Sequence, residues 1–474
     1  MENAKKSLIL SHILFLFSLC LIYTIPFAAK WLGDWHLPPM TRPLRFYIIG
    51  VFTIAFIFYY LFLRRFQKAD AMIGSDPGLK YWLVGSTAAV FLFLCTSGAV
   101  ISIDLYEYSI RGRMFGLYGM NPYLHTPEVI RNDIFYPLIF WKDTPECYGP
   151  LWVLTGALHT LPFRESVFLT SFLHKLVIFF FLAVSGLVFY RLCGLLKVKT
   201  PALFTAAFIA NPMVVVMTVV DGHNEIAMVA LFLAALYLLQ RERYTLSLIA
   251  FTAAVQVKFV YAILLPLFLV QALFWPGAKP PRRRLFEVLW GGALSLGLMA
   301  LVWLPFGWRG LTAVIEYYGD LGGLFWADSI PYAAWFVLEK LGRGVSQAAV
   351  MNVFSAAFFL IYAASFYYFS RNVRTGERAF FNASSVILLG LLFTNYSPFQ
   401  TWYLLWVLPL LLLSDYRARF LLSFLLSYFL LMTFWKRMSV LAAPMLLAYL
   451  VFLARSRAAG GGRRFIYALE GNGI

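Results

Sequence analysis

Apolar runs of roughly 17 to 25 residues recur along this chain, each long enough to cross a hydrocarbon core of about 30 Å as a helix. That recurrence leaves few folds open. A backbone surrounded by lipid must satisfy its own hydrogen bonds, which only helices and closed barrels do, and the short alternating segments of a barrel are not seen. Composition agrees: 61% of the 474 residues are hydrophobic and 13% are charged, where ordinary soluble chains carry about 25% charged residues. The chain is therefore expected to be an all-α, polytopic integral membrane protein.

Placing the Lys5–Lys6 end in the cytoplasm puts spans at 8–28, 44–63, 81–101, 167–190, 201–220, 224–239, 246–257, 259–275, 285–305, 348–369, 380–395, 402–413, 420–434 and 441–453, about fourteen in all. The apolar piece 151–161 is short and bounded by Pro150 and Pro162, so it is expected as an outer-surface helix. With that choice the basic residues gather on the inner connectors and most acids on the outer loops, as the positive-inside rule requires. The net charge of +17 is thus explained by topology, and no basic stripe with interleaved aromatics points to nucleic acid. The four cysteines lack CxxC spacing and indicate neither a disulfide framework nor a zinc site. The run 8–28 follows two lysines as a signal peptide would, but its length and the lack of a small-x-small cleavage site favour a retained first helix. Residues 460–464 are expected as a flexible cytoplasmic end.

The unusual polar residues then fall on one face: 102–152, Asp221 to Glu225, 306–332 with Glu316, Asp320 and Asp328, and 395–402. Asp104 stands out. A carboxylate at the outer end of a span is partly desolvated and suits a general base, although an interfacial helix cap has the same sequence signature. If the helix continues, Asp104, Glu107 and Tyr108 share a face, with Arg111 one turn further on. Lys258 lies between two apolar runs that are short for two spans, marking a bend where an ammonium could meet a lipid phosphate or an internal partner. For Lys175, within a span beside His174, structural pairing with a loop acid is favoured. Asp221, His223 and Glu225 alternate without a second histidine at helical distance, so no metal site is expected there. Glu316, Asp320 and Asp328 suit solvated loop positions, and the aromatic segment 396–406 suits either sugar stacking or an interfacial belt.

Several of these stretches resemble one family in order. Asp104-x-x-x-Tyr108, Arg111-Gly112-Arg113, Gly119-x-Asn121-Pro122-Tyr123 and Tyr148-Gly149-Pro150-Leu151 look like the first outer loop of the GT-C membrane glycosyltransferases, above all the bacterial polyprenol-phosphate-mannose-dependent mannosyltransferases. Asp221-Gly222-His223-Asn224-Glu225 with the downstream Lys258 resembles that group's Gly-His-Asn-Asp segment and lysine, and Gln400-Thr401-Trp402-Tyr403 resembles its late Pro-Trp-Tyr motif. The chain departs in having Glu225 where Asp is usual and Gln400-Thr401 where a proline is common. The resemblance covers about 81–409. It implies a GT-C-like core, 81–409, with a catalytic outer loop at 102–165, preceded by an N-terminal pair of spans and a connector, 1–80, and followed by C-terminal helices and a tail, 410–474.

The resemblance further implies transfer of a hexose, mannose being the expected one, from a polyprenyl-phosphate donor to a lipid or glycan acceptor at the outer face of a bacterial cytoplasmic membrane. Asp104 would take the acceptor's proton as the hydroxyl attacks C1 with inversion, with no cofactor. Substrate contacts are expected from Glu107, Tyr108, Arg111, Arg113, Asn121, Tyr123, Tyr148, His223, Asn224, Glu225, Lys258, Gln400, Trp402 and Tyr403. No Gly-rich phosphate loop suggests a nucleotide-sugar site. A flippase of a lipid-linked sugar is the competing class, disfavoured because no internal repeat is evident and the polar residues gather on one face. A glycan ligase or polymerase sharing the lipid-phosphate donor is a further alternative.

Overall fold

The structure is a computed structural model, described here for residues 2–26, 28, 42–321, 329–376, 378–395, 400–416 and 419–432. All regular structure among them is helical. The expected span 441–453, the tail and Asp328 lie outside these residues. Two compact units emerge, one from Met1–Ala262 with Arg282–Gly319, the other from Ile263–Pro281 with Asp320–Ile474.

Six of the described helices are long and apolar enough to cross a membrane: Glu2–Thr24, Pro43–Asp70, Pro77–Leu94, Val167–Leu195, Pro281–Trp303 and Gln347–Asn372. A seventh candidate is the pair Pro201–Ile209 and Pro212–Val220, bent by 50°. The remaining expected spans within the described residues coincide with shorter apolar helices, among them Glu225–Gln240 and Tyr244–Val257. A 14-residue helix such as Tyr244–Val257 is about 21 Å long at 1.5 Å per residue and does not cross the core alone. The physical reason for the difference lies in burial. Residues 225–230 are wholly enclosed by protein, so their hydropathy records a protein interior as readily as lipid.

Local chemistry fixes the ends of the elements around the first unit's polar interior. Asp76 caps Pro77–Leu94 by accepting from Leu79 N at 3.0 Å, and it pairs with Lys5 at 2.5 Å. Ser166 caps Val167–Leu195 through Leu169 N at 3.2 Å. Pro212 cannot donate into the preceding helix, and Asn211 takes Met213 N at 3.0 Å to start a new segment, which accounts for the bend. That segment ends in a π-helical turn, Val216–Val220, directly before Asp221.

The Pro77–Leu94 helix does not run on into Asp104. It stops at Leu94, and a separate helix, Asp104–Gly116, begins at the aspartate. This helix crosses Pro150–Thr160 at backbone distance: a Cβ on Gly112 would lie 2.3 Å from the Gly156 carbonyl carbon. The Pro150–Thr160 helix therefore has a face buried in protein, with Trp152, Val153 and Ala157 enclosed, while Leu158 is 72% exposed. The described residues within 306–332 are largely helical, where the sequence suggested loop positions. Gly307–Leu321 is a helix whose Val314 joins Tyr123, Val153, Val302, Trp303 and Phe306 in one hydrophobic cluster, and a further helix starts at Ile330. Interspersed polar residues hide such an amphipathic helix from a search for continuous apolar runs. Glu316 is exposed on it.

In the second unit Gln347–Asn372 and Ala379–Thr394 form a helical hairpin. Tyr362 donates to the Ile263 carbonyl at 3.0 Å. Asn382 and Asp415 exchange two hydrogen bonds, the amide donating to Asp415 Oδ1 at 2.7 Å and Asp415 N donating to Asn382 Oδ1 at 3.1 Å.

Candidate active site

Asp104 is the first residue of its helix, and its amide donates to Ser102 Oγ at 3.2 Å. Its side chain is 18% exposed and lies 3.7 Å, Oδ2 to Nδ1, from the fully buried His223. One turn on, Tyr108 points the same way. Its hydroxyl lies 3.4 Å from His223 Nδ1 and 3.4 Å from Asn224 Oδ1, and its ring meets Tyr148 and Trp152 edge-on while stacking against His174. The i, i+4 relation of Asp104 and Tyr108 thus holds in the new helix.

His223 and Glu225 come from the turn after the π segment. Gly222 supplies a φ of +74°, and a Cβ there would sit 3.0 Å from the His174 ring, so the turn needs glycine on both counts. Glu225 opens the Glu225–Gln240 helix, with its Oε2 3.7 Å from His223 Nδ1 and its Oε1 hydrogen-bonded to the Lys258 ammonium. Lys258 follows the Tyr244–Val257 helix in extended backbone, φ −154° and ψ 130°, which confirms a bend there. Its ammonium lies 4.8 Å from the centre of the Tyr148 ring. Tyr148 is held beside it because Gly149 N donates to the Val257 carbonyl at 3.0 Å and a Cβ on Gly149 would fall 2.0 Å from the Gln256 carbonyl oxygen.

Asp104, Tyr108, Tyr148, His223, Asn224, Glu225 and Lys258 are therefore brought into one cluster. Glu107 and Arg111 face another way. They pair at 2.5 Å, Glu107 Oε1 accepts from Phe140 N at 2.6 Å and Trp141 N at 2.8 Å, and Arg111 donates to the Trp141 and Thr144 carbonyls at 3.0 and 3.1 Å. Both side chains hold the 140–144 backbone in place. Arg113 pairs with buried Asp133 at 2.7 Å and donates to the Arg164 carbonyl at 2.9 Å. Asn121 donates to the Phe306 carbonyl at 2.8 Å and accepts from Tyr123 N at 3.1 Å, while Tyr123 donates to the Tyr148 carbonyl at 2.8 Å. Gln400, Trp402 and Tyr403 belong to the second unit, where Gln400 precedes the short helix Thr401–Trp406, Trp402 is buried and Tyr403 stacks on Trp406 with ring centres 4.5 Å apart.

Burial, then the negative charges of Glu107 and Glu225, push the Asp104 carboxyl up to about 7 from 3.8, against the opposing pull of Lys258 and the Ser102 hydrogen bond. Burial drives His223 well below its ordinary range, helped by Lys258 and His174. Near neutral pH the cluster thus holds a carboxyl poised between its two forms beside an uncharged imidazole. Such a carboxyl is matched to proton transfer at that pH.

Three residues outside the expected set support the cluster. Asp221 binds the backbone leading to Asp104, and His174 donates through Nε2 to the Gly222 carbonyl at 2.7 Å. Lys175 donates to the Ser97 carbonyl at 2.7 Å, a structural pairing made with backbone. Two adjacent cationic or imidazole side chains within an apolar helix were the available signal for His174 and Lys175. Nothing in the spacing of Asp221 predicted which amides it would bind.

Residues 27–275 match a family model described as Alpha-(1->6)-mannopyranosyltransferase, N-terminal domain. The chain is also similar to two proteins named Alpha-(1->6)-mannopyranosyltransferase A. The one from Corynebacterium glutamicum is 27% identical over 207 residues, covering 43% of this chain and 41% of that protein. The one from Mycobacterium tuberculosis is 28% identical over 271 residues, covering 53% of this chain and 49% of that protein. The chain thus spans about half or less of the length of these relatives. No solved structure matches. The matched range includes Asp104 through Lys258 and leaves out Gln400, Trp402 and Tyr403.

Proposed function

The chain belongs to the family described as the N-terminal domain of alpha-(1->6)-mannopyranosyltransferases, and from that premise we propose that it is a multi-pass membrane enzyme transferring mannose from a polyprenyl-phosphate donor to a lipid or glycan acceptor at the outer face of the cytoplasmic membrane. In this reading the six long helices and the bent pair cross the membrane, with the shorter apolar helices packed among them. The outward placement of Asp104 rests on the inner bias of the basic residues.

The observation that carries the proposal is the partly exposed Asp104 carboxylate held beside buried His223 and Tyr108, with the Glu225–Lys258 pair behind them. Transfer begins as an acceptor hydroxyl approaches C1 of the sugar. Asp104 takes its proton, the oxygen–C1 bond forms, and the C1–phosphate oxygen bond breaks with its electron pair leaving on the polyprenyl phosphate. Inversion follows from attack opposite that leaving group, so the α linkage in the relatives' names calls for a β-linked donor. A departing phosphate needs donors and positive charge. Lys258 is the cation in the cluster, paired with Glu225, and the buried Asn224 Nδ2, for which no described residue acts as acceptor, is a further donor for sugar or phosphate. Tyr148 serves as the aromatic wall of the site. Glu107, Arg111, Arg113, Asn121 and Tyr123 act through the loop backbone they hold.

Purified protein in lipid nanodiscs, supplied with polyprenyl-phosphate mannose and a short octyl α-mannoside, tests the reading. The expected product is the acceptor extended by one α-linked mannose. Transfer from a nucleotide-linked mannose with none from the lipid donor would contradict it.

A further inference from the structure

The Asp221 side chain takes no part in the proposed chemistry, yet it is fully buried with both oxygens engaged. Oδ1 accepts from Val100 N at 2.6 Å and Ile101 N at 3.3 Å, and Oδ2 accepts from Ile101 N at 3.0 Å and Ser102 N at 3.2 Å. These amides lie in the non-helical run between Pro77–Leu94 and Asp104–Gly116, where no helix supplies their partners. The same run delivers Asp104, whose own amide is held by Ser102 Oγ.

The backbone of Asp221 has a second attachment. It closes the π turn and stands two residues before His223. From behind, His174 Nε2 meets the Gly222 carbonyl, which only accepts, so that nitrogen carries the proton; in the neutral ring, His174 Nδ1 then accepts from His159 Nε2 at 3.0 Å. One carboxylate therefore ties the lead-in of Asp104 to the turn that carries His223.

We infer that Asp221 is a positioning residue that sets the approach of Asp104 to His223 through the Val100–Ser102 amides. The inference rests on the reading of Asp104 as general base. An accept-only carboxylate suits three inward amide donors, whereas an asparagine of the same shape turns an N–H₂ group toward at least one of them. The freed amide must move or stay unpaired, and Asp104 moves with it.

The test uses the full-length protein in nanodiscs with polyprenyl-phosphate mannose and an octyl α-mannoside, comparing wild type, Asp104→Asn, Asp221→Asn, Asp221→Glu, Ser102→Ala and Ser102→Thr. Because a displacement of about 1 Å can cost up to about 100-fold in rate, Asp221→Asn is expected to lower kcat by about 10- to 100-fold while changing the donor KM less than about threefold. The acid-side midpoint of its kcat–pH profile should also fall, as Asp104 loosens from its buried setting. Ser102→Ala should also lower kcat but move the midpoint upward, because the Ser102 hydroxyl opposes the rise of Asp104, and Ser102→Thr, which keeps the hydroxyl, should restore both. Wild-type kcat in Asp221→Asn, or a loss matched by the loss of folded protein with an unmoved midpoint, would overturn the inference. Should Asp221→Asn fail to fold, Asp221→Glu decides, since it keeps an accept-only carboxylate but displaces it by one methylene: unchanged kcat and midpoint in that variant would overturn the inference. Undiminished transfer by Asp104→Asn would remove the base assignment and this inference together, whereas an inert Asp104→Asn beside a wild-type-like Asp221→Asn would remove this inference alone.

Discussion

His223 Nδ1 lies 3.7 Å from Asp104 Oδ2 and 3.7 Å from Glu225 Oε2, so one buried imidazole edge faces two carboxylates that play different parts. Glu225 is enclosed and paired with Lys258, while Asp104 keeps part of its surface open. That asymmetry is what favours Asp104 over Glu225 as the proposed proton acceptor.

The pH dependence of transfer follows from that setting. The base works as the carboxylate, so kcat should rise with pH through a midpoint near the value of about 7 to which Asp104 is raised. Because the Glu225 charge contributes to the rise, Glu225→Gln should move the midpoint to lower pH. Lys258→Met, which removes an opposing positive charge, should move it to higher pH. Initial rates at saturating donor between pH 5 and 9 check both signs.

Stability should respond to Asp104 in the opposite sense from an ordinary ion pair. The folded carboxyl holds its proton up to about 7, whereas the ordinary value is 3.8. Between those values the folded protein keeps a proton that the unfolded chain has lost, so this residue's contribution to stability falls as pH rises through the window. Asp104→Asn cannot ionise and escapes that loss. Its Tm should exceed that of wild type above pH 7, with the gap narrowing toward pH 4, as scanning fluorimetry in detergent would read.

The Arg113–Asp133 pair is 4% and 0% exposed, and Asp133 also takes hydrogen bonds from Tyr118 Oη at 2.9 Å and Phe135 N at 2.9 Å. Removing only the cation leaves a buried charge uncompensated, which typically costs about 3–5 kcal/mol. Arg113→Met should therefore destabilise the protein by about that amount, and adding Asp133→Asn should recover a large part. Denaturation midpoints of the two variants against wild type check this.

Backbone contact between the Asp104–Gly116 and Pro150–Thr160 helices makes a sharp contrast within one helix. A Cβ on Gly112 meets the Gly156 backbone at 2.3 Å, whereas one on Gly116 meets the Ala157 Cβ at 3.1 Å. Gly112→Ala should cost more than about 4 kcal/mol, in the range reserved for severe steric damage, and Gly116→Ala about 1–3 kcal/mol, as for an overpacked side chain. The yield of monodisperse protein and its Tm separate the two.

Much of this organisation is legible from residue type together with the family resemblance. The apolar runs marked helices, and Asp104, Tyr108, Tyr148, His223, Asn224, Glu225 and Lys258 were singled out from the sequence before the fold drew them together. Hydropathy did not tell lipid from protein interior, so Glu225–Gln240 looked like a span although protein encloses its first turns. Charge type did not reveal direction either: Glu107 and Arg111 suited substrate contact, but the folded loop uses them to hold Phe140 to Thr144. Asp221 was visible as a polar residue beside a glycine, while its three amide partners lie about 120 residues away and only the tertiary fold supplies them.

The most direct test of the account is single-turnover transfer by Asp104→Asn, with donor binding measured in parallel. General-base help is worth about 10²- to 10⁴-fold, so the variant should bind polyprenyl-phosphate mannose as wild type does and transfer it slower by a factor in that range. Transfer at the wild-type rate would contradict the assignment of Asp104 as the base.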